Sequence, residues 1–216
     1  MTKLIVARAA VSLFSTKGFA ATGIRELGNA SGINSATLYH HFPDKSHILT
    51  FIIENCLDAF VSTGLAALES TSPRTQLAAA IAGHTGLTAT NPATSLVTEL
   101  EMRALTTEQH DAMQAHRDQY EDMIQQIVER GITSGDFNVD NPTLSRITLL
   151  EMCTSASHWF RTDGPLSVTD IQHELVKIGF RIMGATPPTP QELNELPTAI
   201  KLETEPQITP QGTANP

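Results

Sequence analysis

A chain of 216 residues with 40% hydrophobic and 17% charged side chains carries enough apolar material for a real core, in one large domain or two small ones. It has no basic-then-apolar leader and no apolar run near the length of a membrane span, so it is expected to be cytoplasmic with no membrane partner. Cys56 and Cys153 lie far apart with neither pairing nor metal spacing, which fits buried thiols in a reducing compartment. A net charge of −9 argues at first against nucleic acid, until its distribution is read. Residues 1–50 carry +3, from Lys3, Arg8, Lys17, Arg25 and Lys45 against Glu26 and Asp44, while the remainder carries −12. A basic amino-terminal end on an acidic body is the electrostatic footprint of a DNA-binding module.

Lys3 to Lys17 reads as a helix with Val6, Ala10, Leu13 and Phe14 on one face, ended by Gly18. Two short helices follow within Thr22 to Phe42, TGIRELGNASGINSATLYHHF. Ile24 and Leu27 give the first its apolar stripe, Gly32 supplies the turn, and Asn34 is the expected N-cap of the second. In that second helix only Leu38 is plainly apolar, so the remaining small and polar side chains are free to enter a DNA major groove. Phe42-Pro43 stops it, and Asp44 can cap a fourth helix with a wide stripe from Ile48 to Val61. Breakers then delimit helical segments near Arg74–Ala89, Pro92–Leu105, Thr107–Arg130, Pro142–Arg161 and Ser167–Met183. No stretch alternates with period two, so the expected class is all-α: a three-helix DNA-binding domain at 1–46 and a helical ligand-binding and dimerisation domain at 47–184. Seven of the twelve prolines lie beyond Gly184, and this Pro-rich, polar tail at 185–216 is expected to be disordered or loosely laid on the surface.

The stretch resembles the helix-turn-helix of TetR-family transcriptional repressors. The likeness runs without a gap from Val6, Ala10, Leu13 and Phe14 through Gly18-Phe19, Thr22, Ile24, Leu27 and Gly32-Ile33 to Thr37-Leu38-Tyr39-His40-His41-Phe42 and Lys45. It departs mildly at Gly23, Gly28, Ser31 and Asn34, and Gly23 removes one possible phosphate contact. The resemblance implies a homodimeric repressor on a palindromic double-stranded operator. In that reading Ser35 and Thr37 lie at or near bases, Tyr39, His40 and Lys45 contact phosphates, Thr22 and Arg25 assist, and Ala36 completes the DNA-binding set. Lys45 sits in the first turn of a helix, where a cation opposes the dipole unless it serves something outside. His41 and Phe42 read better as packing residues.

Glu101-x-Arg103, Arg117-x-x-Tyr120-Glu121 and His158-Trp159-Phe160 with Gly164-Pro165-Leu166 resemble a subgroup of these repressors that often responds to CoA thioesters of lipophilic acids. That likeness implies an apolar tunnel with Arg103, Arg117 and Arg161 near its mouth, and a small lipophilic ligand. His84, Met102, Met113, Tyr120 and Trp159 complete the ligand candidates. The structural alternative makes Arg103 half of a buried Glu–Arg pair, the methionines plain core, and Trp159 part of a dimer seam. That seam, a four-helix arrangement between two copies by resemblance, is expected at Leu149, Ala156, Trp159, Phe160, Ile171 and Leu175. Inward positions on the same helix would be Ile147, Leu150 and Cys153. No metal set is expected, since His110 and His116 point to different sides of one helix. No nucleophile elbow or phosphate loop supports an enzyme or a cofactor. A DNA-binding regulator without a small-molecule ligand remains the second reading.

Overall fold

The computed structural model describes residues 1–207, and within them every regular element is helical. The head comprises α1 (Thr2–Lys17), α2 (Ile24–Ser31) and α3 (Ser35–His41). Gly32 takes φ 69° to close α2, a left-handed conformation that a side chain would strain, and Asn34 accepts the Thr37 amide at 2.9 Å to start α3. Val6, Ala10 and Phe14 of α1, Leu27 of α2 and Leu38 of α3 form one core with the start of α4 (Lys45–Leu68). Asp44 caps α4 by accepting the His47 amide.

α4 runs through both cores, Ile48 to Leu57 in the head and Ala67 with Phe60 and Val61 in the body. By length and composition it could cross a membrane, which amends the sequence expectation, but half of its apolar window is buried inside the protein. The body centres on α5 (Pro73–Thr90), packed against α4, α7 (Thr107–Ser134), α8 (Pro142–Thr154) and α10 (Val168–Ile182). α6 (Pro92–Glu101) ends in a 3-10 turn at Met102–Ala104 and touches both α1 and α4. The helix expected over Pro142–Arg161 breaks at Ser155 and resumes as α9 (Ala156–Trp159). There the Ser155 and Ser157 hydroxyls donate back to the Met152 and Thr154 carbonyls and compete with the helical ladder.

The tail corrects the composition argument. Residues 185–207 wrap the body, beginning with α11 (Pro190–Asn194), whose capping box is Thr189 with Glu192 and whose Leu193 enters the body core. Beyond it the chain lies along buried amides: Gln172 donates to the Pro197 carbonyl, and Asn91 donates to Ile200 O while accepting Leu202 N at 2.6 Å. Gly86 lets the strap approach, since a Cβ there would sit 3.0 Å from Ala199 Cβ. Asn91 occupies the N-cap of α6 but its side chain is spent on the strap. The Glu205 carboxylate takes over the cap, accepting Ala93 N and Thr94 N at 3.2 and 2.9 Å at the positive end of the helix. Arg8 of α1 donates to the Glu203 carbonyl at 2.6 Å, so the strap also reaches the head. The expectation for 208–216 lies outside the described residues.

Candidate DNA-recognition face and ligand cavity

Leu38 is fully buried and fixes α3 to the head, leaving Ser35, Ala36, Tyr39 and His40 exposed on its outer side and Thr37 half-buried. Arg25 on α2 is exposed beside them. These six form one solvent-facing surface of short, polar and cationic groups. Phe42 is buried edge-on to Phe51, and His41 is half-buried, both as packing residues.

Two residues expected at the DNA are used otherwise. Thr22 is 1% exposed and its hydroxyl donates to Gly18 O at 2.9 Å, while Gly23 starts α2 without a side-chain cap. Lys45 donates from Nζ to Phe19 O at 2.6 Å and Thr22 O at 2.8 Å, with its ammonium 4.2 Å from the centre of the Phe19 ring. Desolvation pushes its pKa down, opposed by the nearby Glu101 charge. The cation of α4's first turn therefore ties down the loop before α2. Lys45→Ala is expected to lower stability by about 1–2 kcal/mol through those two carbonyls, and to weaken DNA binding equally at every salt concentration. A titration series in salt checks this, because loss of a direct phosphate contact would instead flatten the slope by about one unit.

In the body, Leu57, Phe60 and Leu150 wall a cavity of about 100 Å³ whose polar side is built from α5, α6, α7 and α8. His84 is buried with Nδ1 3.1 Å from the Tyr120 hydroxyl and Nε2 3.0 Å from the Thr154 hydroxyl, and Phe60 lies against its ring. Burial pushes the His84 pKa down to about 3, so the imidazole is neutral. The unfolded side chain binds a proton below its ordinary value near 6.5, which the folded one refuses until about pH 3. The contribution of His84 to stability is therefore complete above pH 6.5 and is lost as pH falls toward 3, at up to about 1.4 kcal/mol per pH unit. Urea titrations of wild type and His84→Gln across that window measure it; equal slopes would contradict it.

Of the expected ligand residues, His84, Arg117 and Tyr120 line this cavity. Met102 and Met113 are buried in the head-side core, and Arg103 and Trp159 are exposed. No ion pair holds Arg103 among the described residues, which removes the buried Glu–Arg alternative. The lining is mixed rather than basic. Glu99, Glu121 and Glu151 line the cavity with Arg117; Glu121 pairs with Arg146 at 2.6 Å and Glu99 with His158 at 2.9 Å. Arg161 lies exposed in the loop after α9. Sequence reading missed Ser95, Thr98, Thr88 and Thr154 on the cavity wall. The available signal was the hydroxyl pair at i, i+3, which shares one face of α6.

The expected seam is also reassigned. Leu149, Ala156, Phe160, Ile171 and Leu175 are buried within the protomer, and of that set only Trp159 is exposed, at 49%. On α8 the expectation holds in part: Cys153 faces in and Leu150 lines the cavity, but Leu149 also faces in, and Leu144 (58%) and Ile147 (43%) face out. Both faces of α8 carry apolar residues, so periodicity alone does not say which one is inside.

A helix-turn-helix head carried on an all-α body defines a transcriptional regulator rather than an enzyme. Residues 6–50 match the bacterial regulatory proteins of the tetR family, and residues 70–183 match the tetracyclin repressor-like C-terminal domain, so the chain belongs to the tetR family. It is 24% identical over 177 residues to the HTH-type transcriptional repressor KstR2 of Rhodococcus jostii, covering 78% of this chain and 84% of that one. Among solved structures, the TetR family regulator PfmR of Thermus thermophilus aligns with a TM-score of 0.76 at 28% identity, over 83% of this chain and 97% of its own. AibR, in complex with isovaleryl coenzyme A and operator DNA, shares the fold with a TM-score of 0.74 at 23% identity, over 82% and 97% of the two chains.

Proposed function

We propose that the protein is a cytoplasmic, ligand-responsive repressor that binds a palindromic operator as a homodimer and is released by a small lipophilic ligand. The observation that carries this reading is the double duty of α6. Ser95, Thr98 and Glu99 of that helix line the cavity, and Glu101, at its end, accepts the Phe19 amide of the head at 3.0 Å. A ligand that moves α6 therefore pulls on the loop that Lys45 also holds, and shifts the head by no more than its differential affinity for the two arrangements. Arg25, Ser35, Ala36, Thr37, Tyr39 and His40 present the DNA surface, with Leu144, Ile147, Trp159 and Ile178 exposed for the partner copy. The CoA complex of AibR supports a thioester as the ligand class to test first. One feature favours a ligand-independent regulator: at about 100 Å³ the cavity is smaller than sites for drug-sized molecules. Titrating isovaleryl-CoA and uncharged lipophilic compounds into a protein–operator complex, read by fluorescence anisotropy, decides between them. Release supports the sensor, and undiminished anisotropy throughout supports the ligand-independent reading.

A further inference from the structure

The strap lies beyond residue 183, where the matched family domain ends, yet it reaches the border between head and body. There Thr204 and Glu205 are 1% and 6% exposed, while Glu203 itself is exposed. A carboxylate is costly to bury, and Glu205 is held in place by the Ala93 and Thr94 amides at the positive end of α6. Two residues earlier the Glu203 carbonyl accepts a hydrogen bond from the Arg8 guanidinium of α1. Of the hydrogen bonds that fasten the strap, those of Gln172, Asn91, Ala93 and Thr94 end on the body, and that of Arg8 ends on the head. Arg8, the Glu203 carbonyl and the Glu205 carboxylate are therefore links in series between α1 and α6, two helices that also pack on each other. At its far end α6 meets the head a second time, through Glu101 and the Phe19 amide.

Resting on the repressor reading above, we propose that Arg8 and Glu205 are positioning residues for operator binding. Through the strap they latch α1 to α6 and hold the head in the orientation in which it meets DNA. A head that is already ordered loses less freedom when the duplex engages it, so the latch raises affinity without touching a base or a phosphate. In a symmetric dimer the effect acts once per head.

The test uses the full-length protein as Arg8→Ala, Glu205→Ala and the double variant. Anisotropy is read on the duplex that the wild type enriches, and hydrogen–deuterium exchange is read without DNA. Each single variant is expected to weaken operator binding about tenfold, from about threefold per head, and the double variant no further, because the links are in series. Glu205→Ala separates the latch from plain charge, since loss of a carboxylate from an acidic chain would by electrostatics alone strengthen DNA binding. The Phe19 amide is expected to exchange faster in both single variants. The Ala93 and Thr94 amides should do so in Glu205→Ala and not in Arg8→Ala, which leaves the α6 cap in place. Arg8 belongs to no buried core cluster, so Arg8→Ala keeps the test open should Glu205→Ala fail to fold. Additive losses in the double variant, or unchanged affinity in either single one, would overturn the proposal. So would a salt slope flattened by about one unit in Arg8→Ala, which would make Arg8 a phosphate contact. A wild type that enriches no duplex would count against the repressor reading. The latch is then judged by Phe19 exchange in Arg8→Ala, where a faster rate supports it and an unchanged rate overturns it.

Discussion

Replacing Ile147 with Glu is expected to leave the protein folded but monomeric, and to weaken operator binding about 100-fold or more. Ile147 and Leu144 stand on the outer face of α8, and Ile178 is exposed on α10. None of the three belongs to a buried core cluster, so a carboxylate at 147 is well tolerated by the lone protomer. In a seam between two copies it would be desolvated on both sides of the two-fold axis. A single head offers one short recognition helix and few phosphate contacts. Tethering two converts the second contact into an intramolecular event, worth about 10²–10⁴ in apparent affinity. Light scattering with a parallel gel-shift titration measures both halves of the expectation. A variant that stays dimeric with full affinity would place the seam elsewhere.

Ending the chain at Leu196 is expected to lower stability by about 3–5 kcal/mol, or roughly 10 °C in melting temperature. Six hydrogen bonds go with the strap: Gln172 to Pro197, Asn91 to Ile200 and to Leu202, Glu205 to the Ala93 and Thr94 amides, and Arg8 to Glu203. The loss falls hardest on α6, whose N-cap side chain has no helix partner of its own once Glu205 is gone. Because α6 also carries the cavity wall and the Glu101 link to the head, the truncated protein should exchange the amides of Ala93 and Thr94 faster by hydrogen–deuterium exchange. Unchanged melting and unchanged exchange would mean that the tail lies loosely on the surface, as its composition suggests.

The head was legible because its signals are local. Gly32, Asn34 and Asp44 act on their own neighbours, and a lone Leu38 among polar residues can only face one way. Lys45 was misread because its partners, the carbonyls of Phe19 and Thr22, lie more than twenty residues away and backbone acceptors leave no mark in a sequence. The strap was hidden for the same reason. A proline-rich stretch looks unable to offset its ordering entropy until the buried side-chain amides of Asn91 and Gln172 are known to be waiting for it. The seam failed because α8 and α10 are apolar on more than one face, and only packing decides which becomes core. On the cavity wall, Arg117 and Tyr120 were singled out through the family resemblance and His84 as a pocket candidate, whereas Ser95 and Thr98 look like ordinary surface residues until burial strips them of partners.

The central claim is that two copies of the outer face of α3 read one duplex together. Enrichment of bound duplexes from a random pool, followed by hydroxyl-radical footprinting of the winner, measures this most directly. The expected result is an inverted repeat with half-site centres one helical turn apart, roughly 34–36 Å, protected symmetrically and lost in an Arg25→Ala, Tyr39→Ala double variant. An unsymmetrical site bound by one protomer, or an inverted repeat whose protection survives that double variant, would contradict it.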